Sequence, residues 1–350
     1  MVDGVARIAR VEAKLDPRRD QETRATEKGK SVRKTLLSVF VILLLVLSGV
    51  AQTKDVGIAA GVPGALMHSL ATALAKVANE KAGVKATVQP FASTNVYIPA
   101  IDTGELQFGF GNMYETMLAY EGKDYFAGRP NKNLRVVAIG ITHRNILYVR
   151  KDSPFHKIAD LKGHRSPDGY SSQKIMLPIY DGYFATAGFT RADMKPVYVP
   201  TVVGGADALA TGKADLFIFA TGSAKVREVD ASVGLRALSI ENTPQSLAAM
   251  RKYFPVAYLK LEKPGPEAPG VLEPVYAFTQ DGVLLSSSKV SDDLVYKITK
   301  AMYENKADLV ATFPGFNDFE PEDMAKNIPV PYHPGAIKFY QEKGMWPPKK

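Results

Sequence analysis

No cysteine occurs among the 350 residues. That excludes disulfide staples, thiolate nucleophiles, cysteine-ligated zinc or iron–sulfur centres and a lipid-modified cysteine. Histidine is scarce. The five (His68, His143, His156, His164 and His333) never fall in an HxxxH or HxH pair, so no metal site is predicted. Tryptophan occurs once. Enzyme signatures are missing too: there is no Walker loop, no GxSxG and no GxGxxG opening a helix. Ser171-Ser172-Gln173-Lys174 matches SxxK, but the SDN and KTG partners of that motif are absent. No catalytic residue and no cofactor are therefore assigned.

The formal charge of +8 is concentrated at one end. Residues 1–51 hold ten Lys/Arg against six Asp/Glu, leaving 34 against 30 in the remainder. A surplus that small and dispersed argues against nucleic acid as a partner. Residues 36–47, LLSVFVILLLVL, form an apolar run preceded by Arg33-Lys34 and followed by Ser48-Gly49-Val50-Ala51. Basic flank, short apolar core and small residues describe a secretory signal peptide, with cleavage expected near Ala51. The run is shorter than the roughly 20 residues a spanning helix needs. An uncleaved anchor, giving a membrane-anchored sensor domain, is the competing expectation. The polar stretch before it suits a translation start near Val32. Export without a lipid-anchor cysteine points to the periplasm.

Beyond that segment the composition is ordinary for a globular chain, with 46% apolar and 23% charged residues. Val56–Ala60 reads as a strand, Gly61-Val62-Pro63-Gly64 as a loop, and Leu66, Leu70, Leu74 and Val77 as the stripe of a helix that Gly83 ends. Residues 86–90 form the next strand, and this succession opens an α/β domain. An internal echo follows. AIDTGELQFGF at 100–110 and ALATGKADLFI at 208–218 both run from a helix end through Thr-Gly into an apolar strand. Two lobes of similar build are expected.

Strands are predicted at 134–141, 146–150, 197–199, 216–220 and 235–239, with helices at 171–187, 291–304 and 335–342. KPGPEAPGVLEP at 263–274 reads as a stiff crossing. The partition is then 1–51 as extension and signal peptide, 52–150 as the first part of lobe 1, 151–262 as lobe 2, and 263–350 as linker and return to lobe 1. The hinge is expected near 149–153 and 262–275.

In α/β sheets ligands collect beyond the C-terminal ends of strands, where helices begin. Four such points carry small polar residues: Ser93-Thr94-Asn95, Asn112-Met113-Tyr114-Glu115, Tyr170-Ser171-Ser172 and Thr221-Gly222-Ser223. Free N–H groups at helix starts favour anions. Asn112 and Glu115 are spaced as a capping box. Tyr114 and Tyr170 are the tyrosines best placed to wall a pocket. Gly64 joins the candidates on the first loop. Arg144, Arg150 and Arg165 lie near the lobe boundary, where surface roles are expected. His333, at the turn into the last helix, is expected to be structural.

TGELQFGF at 103–110, NLRVVAIG at 133–140, VRKDSPFHKIADLKG at 149–163, TGKADLF at 211–217 and PYHPGAIKFYQEKG at 331–344 resemble the TAXI-type solute-binding proteins of tripartite ATP-independent periplasmic (TRAP) transporters. The resemblance implies a two-lobe, type II periplasmic binding protein fold. It also implies a small organic anion, a carboxylate, as solute and the TRAP membrane subunits as partners. An enzyme on the same scaffold would need a placed acid–base pair. Many members carry Gly-Thr-Tyr-Tyr-Pro at the first helix. This chain has Gly64, Ala65, Leu66, Met67 and His68 there, so a different or more apolar solute is expected.

Overall fold

Apolar runs of Val, Ile, Leu and Phe build a sheet whose inner strands are buried on both faces, as parallel and mixed sheets covered by helices require. The computed structural model describes residues 55–348. The signal-peptide and translation-start expectations lie outside them. In chain order the elements are β1 (Val56–Ala60), α1 (Leu66–Lys81), β2 (Ala86–Pro90), α2 (Thr94–Thr103), β3 (Phe108–Asn112), α3 (Met113–Glu121) and β4 (Leu134–Arg150). Then come β5 (Arg165–Gly169), α4 (Met176–Thr186), β6 (Lys195–Val199), α5 (Val202–Ala210), β7 (Leu216–Ala220), α6 (Ala224–Val233), β8 (Leu235–Leu238) and α7 (Pro244–Arg251). The chain closes with β9 (Tyr258–Glu262), β10 (Val275–Ser287), α8 (Asp292–Glu304), α9 (Lys306–Thr312) and α10 (Pro334–Glu342).

The sheet runs β2-β1-β3-β10-β4-β7, with β8 also on β4 and β9 also on β10; β5 and β6 make a separate parallel pair. The antiparallel pair β4–β10 is its spine. β10 meets β3 at residues 282–285 and β9 at residues 275–279. β4 meets β7 and β8 only through residues 145–150. One end of the spine thus carries β1–β3 and the other carries β7–β9. The internal echo has a structural counterpart: β3 flanks the spine on the β10 side and β7 on the β4 side. Gly104 and Gly212 both take positive φ, at 79° and 71°, where a residue with a side chain would be strained.

One expected break is closed, and one expected helix starts later. The strands predicted at 134–141 and 146–150 are one strand, because Thr142–Asn145 continue the ladder opposite Phe278–Asp281. The helix predicted from residue 171 starts at Met176. Ser172 N–H instead donates to Pro200 O at 3.1 Å, and Gln173 Oε1 accepts from Val202 N–H at 2.9 Å. Those bonds hold Ser171–Gln173 against the start of α5.

The C-terminal segment packs onto the β1–β3 end. Tyr332 bridges Val136, His333 N–H donates to Val136 O at 2.9 Å, and Tyr340 donates to Val137 O at 2.6 Å. His333 is wholly buried at the start of α10. Its Nδ1 accepts from Gly335 N–H at 3.1 Å, and its Nε2 lies 3.1 Å from both Ser287 O and Val290 O. A backbone N–H can only donate, so Nδ1 carries the lone pair and Nε2 the hydrogen. Burial lowers its pKa, in keeping with that neutral ring. His333→Ala would strand one donor and two acceptors and leave a void. It is expected to cost about 2–4 kcal/mol, read as a lower denaturation midpoint at unchanged solute affinity of the folded protein. A hundredfold loss of affinity with an unchanged midpoint would contradict this structural role.

Candidate functional site

Five helices begin around one small cavity of about 60 Å³. From the β1–β3 end come Ala65, Leu66 and Met67 at the start of α1, Ser93 and Thr94 at the start of α2, and Asn112 at the start of α3. From the other end come Ile175 and Met176 at α4, Val202 at α5, and Phe219-Ala220 at the end of β7. The spine contributes His143, Asn145 and Gln280. Among the described lining residues none is Lys, Arg, Asp or Glu. The wall is mostly apolar, and its polar groups are amides, hydroxyls and one imidazole.

The expected residues divide. Ser93, Thr94 and Asn112 line the cavity. Ser93, itself buried, places its hydroxyl within reach of Asn95 Oδ1, at 2.9 Å, and of Ser172 O. The second contact ties α2 to the segment before α4. Gly64 serves in the same way from outside the lining: its carbonyl accepts from Lys225 N–H at 3.2 Å, at the start of α6. Asn112 Oδ1 accepts from Glu115 N–H at 2.8 Å, so the cap is real. The reciprocal bond differs from the expected box, since Asn112 Nδ2 donates to Glu115 Oε2 at 3.1 Å.

The others sit elsewhere. Tyr114 packs on Phe254, centroids 4.4 Å apart. Tyr170 is wholly buried and donates to Tyr180 OH at 2.9 Å, inside a core network that also receives Ile218 N–H. Neither tyrosine lines the cavity. Ser171 is exposed, and Ser172 contributes its backbone. Ser223 donates to Ala220 O at 2.8 Å. Thr221 and Gly222 face a second, open pocket of about 310 Å³, among Arg144, Lys260, Glu262 and Asp318. There Arg144 pairs with Glu262 at 2.6 Å and with Asp318. Arg165 pairs with Asp215 at 2.5 Å.

The spine residues were not among the expected ones. His143 and Gln280 stand opposite each other in the β4–β10 ladder, and Asn145 faces Phe278. Among the described residues, His143 Nδ1, Asn145 Nδ2 and both amide atoms of Gln280 are buried without a hydrogen-bond partner. Unpaired buried polar atoms each cost about 1–3 kcal/mol, so four around one cavity call for a ligand or ordered water. Burial lowers the His143 pKa to about 4, leaving the ring neutral. Glu115 lies behind Asn112, wholly buried. Burial pushes its carboxyl up to about 7, against the hydrogen bonds from Tyr125, Asn112 and Thr94.

A model of the NMT1-like family matches residues 58–344. The chain belongs to that family. NMT1-like proteins of this kind correspond to the TAXI-type binding proteins of TRAP transporters, as the sequence motifs led us to expect. The fold has a counterpart among solved structures, carried by the first of the three that follow. A periplasmic transporter protein is 15% identical with a TM-score of 0.51, the match covering 75% of this chain and 87% of that one. The substrate-binding protein of an amino acid ABC transporter is 15% identical, with a TM-score of 0.44 and 74% and 99% covered. The periplasmic aliphatic sulphonate binding protein of Escherichia coli is 14% identical, with a TM-score of 0.42 and 83% and 87% covered. The fold of this NMT1-like chain is the mixed α/β fold of type II periplasmic binding proteins. It is a substrate-binding protein of a transporter. Among the described residues no helix is long and apolar enough to cross a membrane.

Proposed function

We propose that this NMT1-like protein works in the periplasm, captures a small carboxylate with an apolar body, and hands it to the membrane subunits of a TRAP transporter. The cavity carries the reading. Leu66, Met67, Ile175, Met176 and Phe219 offer hydrocarbon. The helix starts that line it offer partial positive charge to one anionic head. A cavity that small, with no cationic side chain in its wall, favours a compact monoanion over a dianion.

The two ends of the spine act as lobes that close on the solute. Polar contacts link them directly, Ser93 Oγ to Ser172 O, Lys225 N–H to Gly64 O and Lys260 Nζ to Asp318 Oδ2 at 3.8 Å. The hinge expected at 149–153 and 262–275 is better placed in the spine. Arg236 on β8 donates to Lys151, Ser153 and Phe155 carbonyls, and Ala237 N–H donates to Gly270 O. Both expected hinge segments are therefore fixed to one strand of one end. The ladder of β4 and β10 instead shifts register between Gly282 and Val283, opposite Ile141 and Ile139. We place the bend there, at 139–145 and 279–283.

Mass spectrometry of solute released from purified protein, backed by thermal shifts with carboxylic acids and their amides, tests the function. An acid at 100 times its Kd stabilises by about 2.7 kcal/mol. Amides that stabilise as well as the acids would remove the anion from the proposal. Solution scattering tests the closure. The radius of gyration is expected to fall when the released solute is added back to emptied protein, and an unchanged radius at saturation would refute the hinge.

A further inference from the structure

Resting on the carboxylate reading above, we propose that His143, Asn145 and Gln280 form the head-group site, and that the anion enters together with one proton that comes to rest on His143.

The argument starts from unpaired atoms. Asn145 Nδ2 and Gln280 Nε2 are donors, Gln280 Oε1 is an acceptor, and His143 Nδ1 takes either role with its tautomer. All belong to residues of one cavity, two of them directly opposed in the ladder. A carboxylate meeting neutral donors alone would be a lone charge in an apolar enclosure, which is costly unless it is paired or neutralised. The nearby cations are engaged elsewhere. Arg144 is held by Glu262 and Asp318, and Lys225 by Asp207 and Glu228, both at 2.6 Å. Among the described lining residues His143 is the one titratable side chain.

Burial holds the basicity of His143 low. A carboxylate beside the ring reverses that balance, because an opposite charge favours the charged form. The imidazole takes a proton from solvent, no covalent bond is made or broken, and the imidazolium N–H donates to the carboxylate. The other charged or titratable groups around it have partners. Arg144 on β4 is ion-paired. Asp281 on β10 is bound by Lys326 at 3.1 Å and by Tyr258 of β9 at 3.2 Å. Tyr183 of α4 donates to Asn145 O at 2.5 Å. Glu115 of α3 is held by Asn112 and by Tyr125 at 2.8 Å.

The test is calorimetry on the full mature protein with propanoate, 2-methylpropanoate, 2-oxobutanoate and hexanoate, each beside its amide, in phosphate and in bis-Tris buffer. The difference in observed heat between buffers counts protons. At pH 6 an acid that binds is expected to bring in close to one proton, and its affinity falls by up to tenfold per pH unit above that. Glu115→Gln is expected to keep the coupling, and His143→Gln to lose it. Binding of an acid with no proton uptake in the wild type overturns the inference and leaves the carboxylate reading standing. Coupling lost in Glu115→Gln and kept in His143→Gln overturns the assignment to His143. If none of the four acids binds, or only the amides do, the carboxylate reading fails and the inference fails with it. The wild-type proton count needs no variant, so a His143→Gln chain that fails to fold does not spare the proposal.

Discussion

Gly335→Val is expected to destabilise the protein by about 3–5 kcal/mol and to leave little folded material at 37 °C. A Cβ at residue 335 would stand 2.2 Å from the backbone oxygen of Asp292 and 3.0 Å from its carbonyl carbon and Cα. Those are backbone atoms at the first turn of α8, so no rotamer change can relieve the contact. The starts of α8 and α10 must part, and the bonds of His333 to Ser287 O and Val290 O go with them. Overpacking typically costs about 1–3 kcal/mol, and the buried hydrogen bonds lost add to it. The measurement is a denaturant midpoint for the glycine, alanine and valine forms. Alanine should fall between the other two. A valine form within 1 kcal/mol of wild type would mean that α10 docks more loosely than the contacts imply.

That glycine explains a sequence motif in physical terms. Pro334 starts α10 where its missing N–H costs nothing, His333 caps the helix and pins it to the end of β10, and Gly335 allows the close approach. The string His-Pro-Gly-Ala was legible as a turn into the last helix and as a family mark. The role of its glycine was not, because a contact with Asp292 leaves no trace in spacing.

The same division runs through the site. β1, β2 and β7 could be read residue for residue, since short strand-like runs set between helix ends and turn residues have few other meanings. The polar helix starts were legible as well, and Ser93, Thr94 and Asn112 do line the cavity. Tyr114 and Tyr170 were placed by their neighbours in sequence. Their rings turned to Phe254 and Tyr180, a choice made by packing partners distant along the chain. Tyr170 even holds a positive φ of 37° to reach its place.

The spine residues were hidden for another reason. Thr142-His143-Arg144-Asn145 interrupts one apolar strand and Thr279-Gln280-Asp281-Gly282 another. Each interruption resembles a loop when read alone, and the first was read as a gap between two strands. The signal was there in the pair. Two polar tetrapeptides inside otherwise apolar strands can face each other in an antiparallel ladder and line a shared cavity. Only the register of β4 on β10 shows that they do.

The sharpest consequence of that buried polarity is a pair of opposed pH dependences. His143 has a native pKa of about 4 against an ordinary 6.5. As pH falls below 6.5 the unfolded chain takes a proton that the native chain refuses, so the native state loses stability down to pH 4. Glu115 has a native pKa of about 7 against an ordinary 4.5. As pH rises above 4.5 the unfolded chain releases a proton that the native chain keeps, so the native state loses stability up to pH 7. Each shift amounts to about 3 kcal/mol. Between pH 4.5 and 6.5 the two nearly cancel.

Glu115→Gln should uncover the histidine. The amide can still accept from Tyr125, though it loses the bond from Asn112 Nδ2. The variant's stability relative to wild type should therefore rise from pH 4.5 to pH 7 by about 3 kcal/mol. His143→Gln should show the opposite trend, its relative stability falling by a similar amount from pH 4 to pH 6.5. Urea midpoints at half-unit pH intervals, each variant subtracted from wild type, isolate these two groups from the surface carboxylates that all three chains share. A Glu115→Gln difference curve that stays flat across the window would mean that Glu115 is ionised in the native protein, and that the cavity is wetter than its lining suggests.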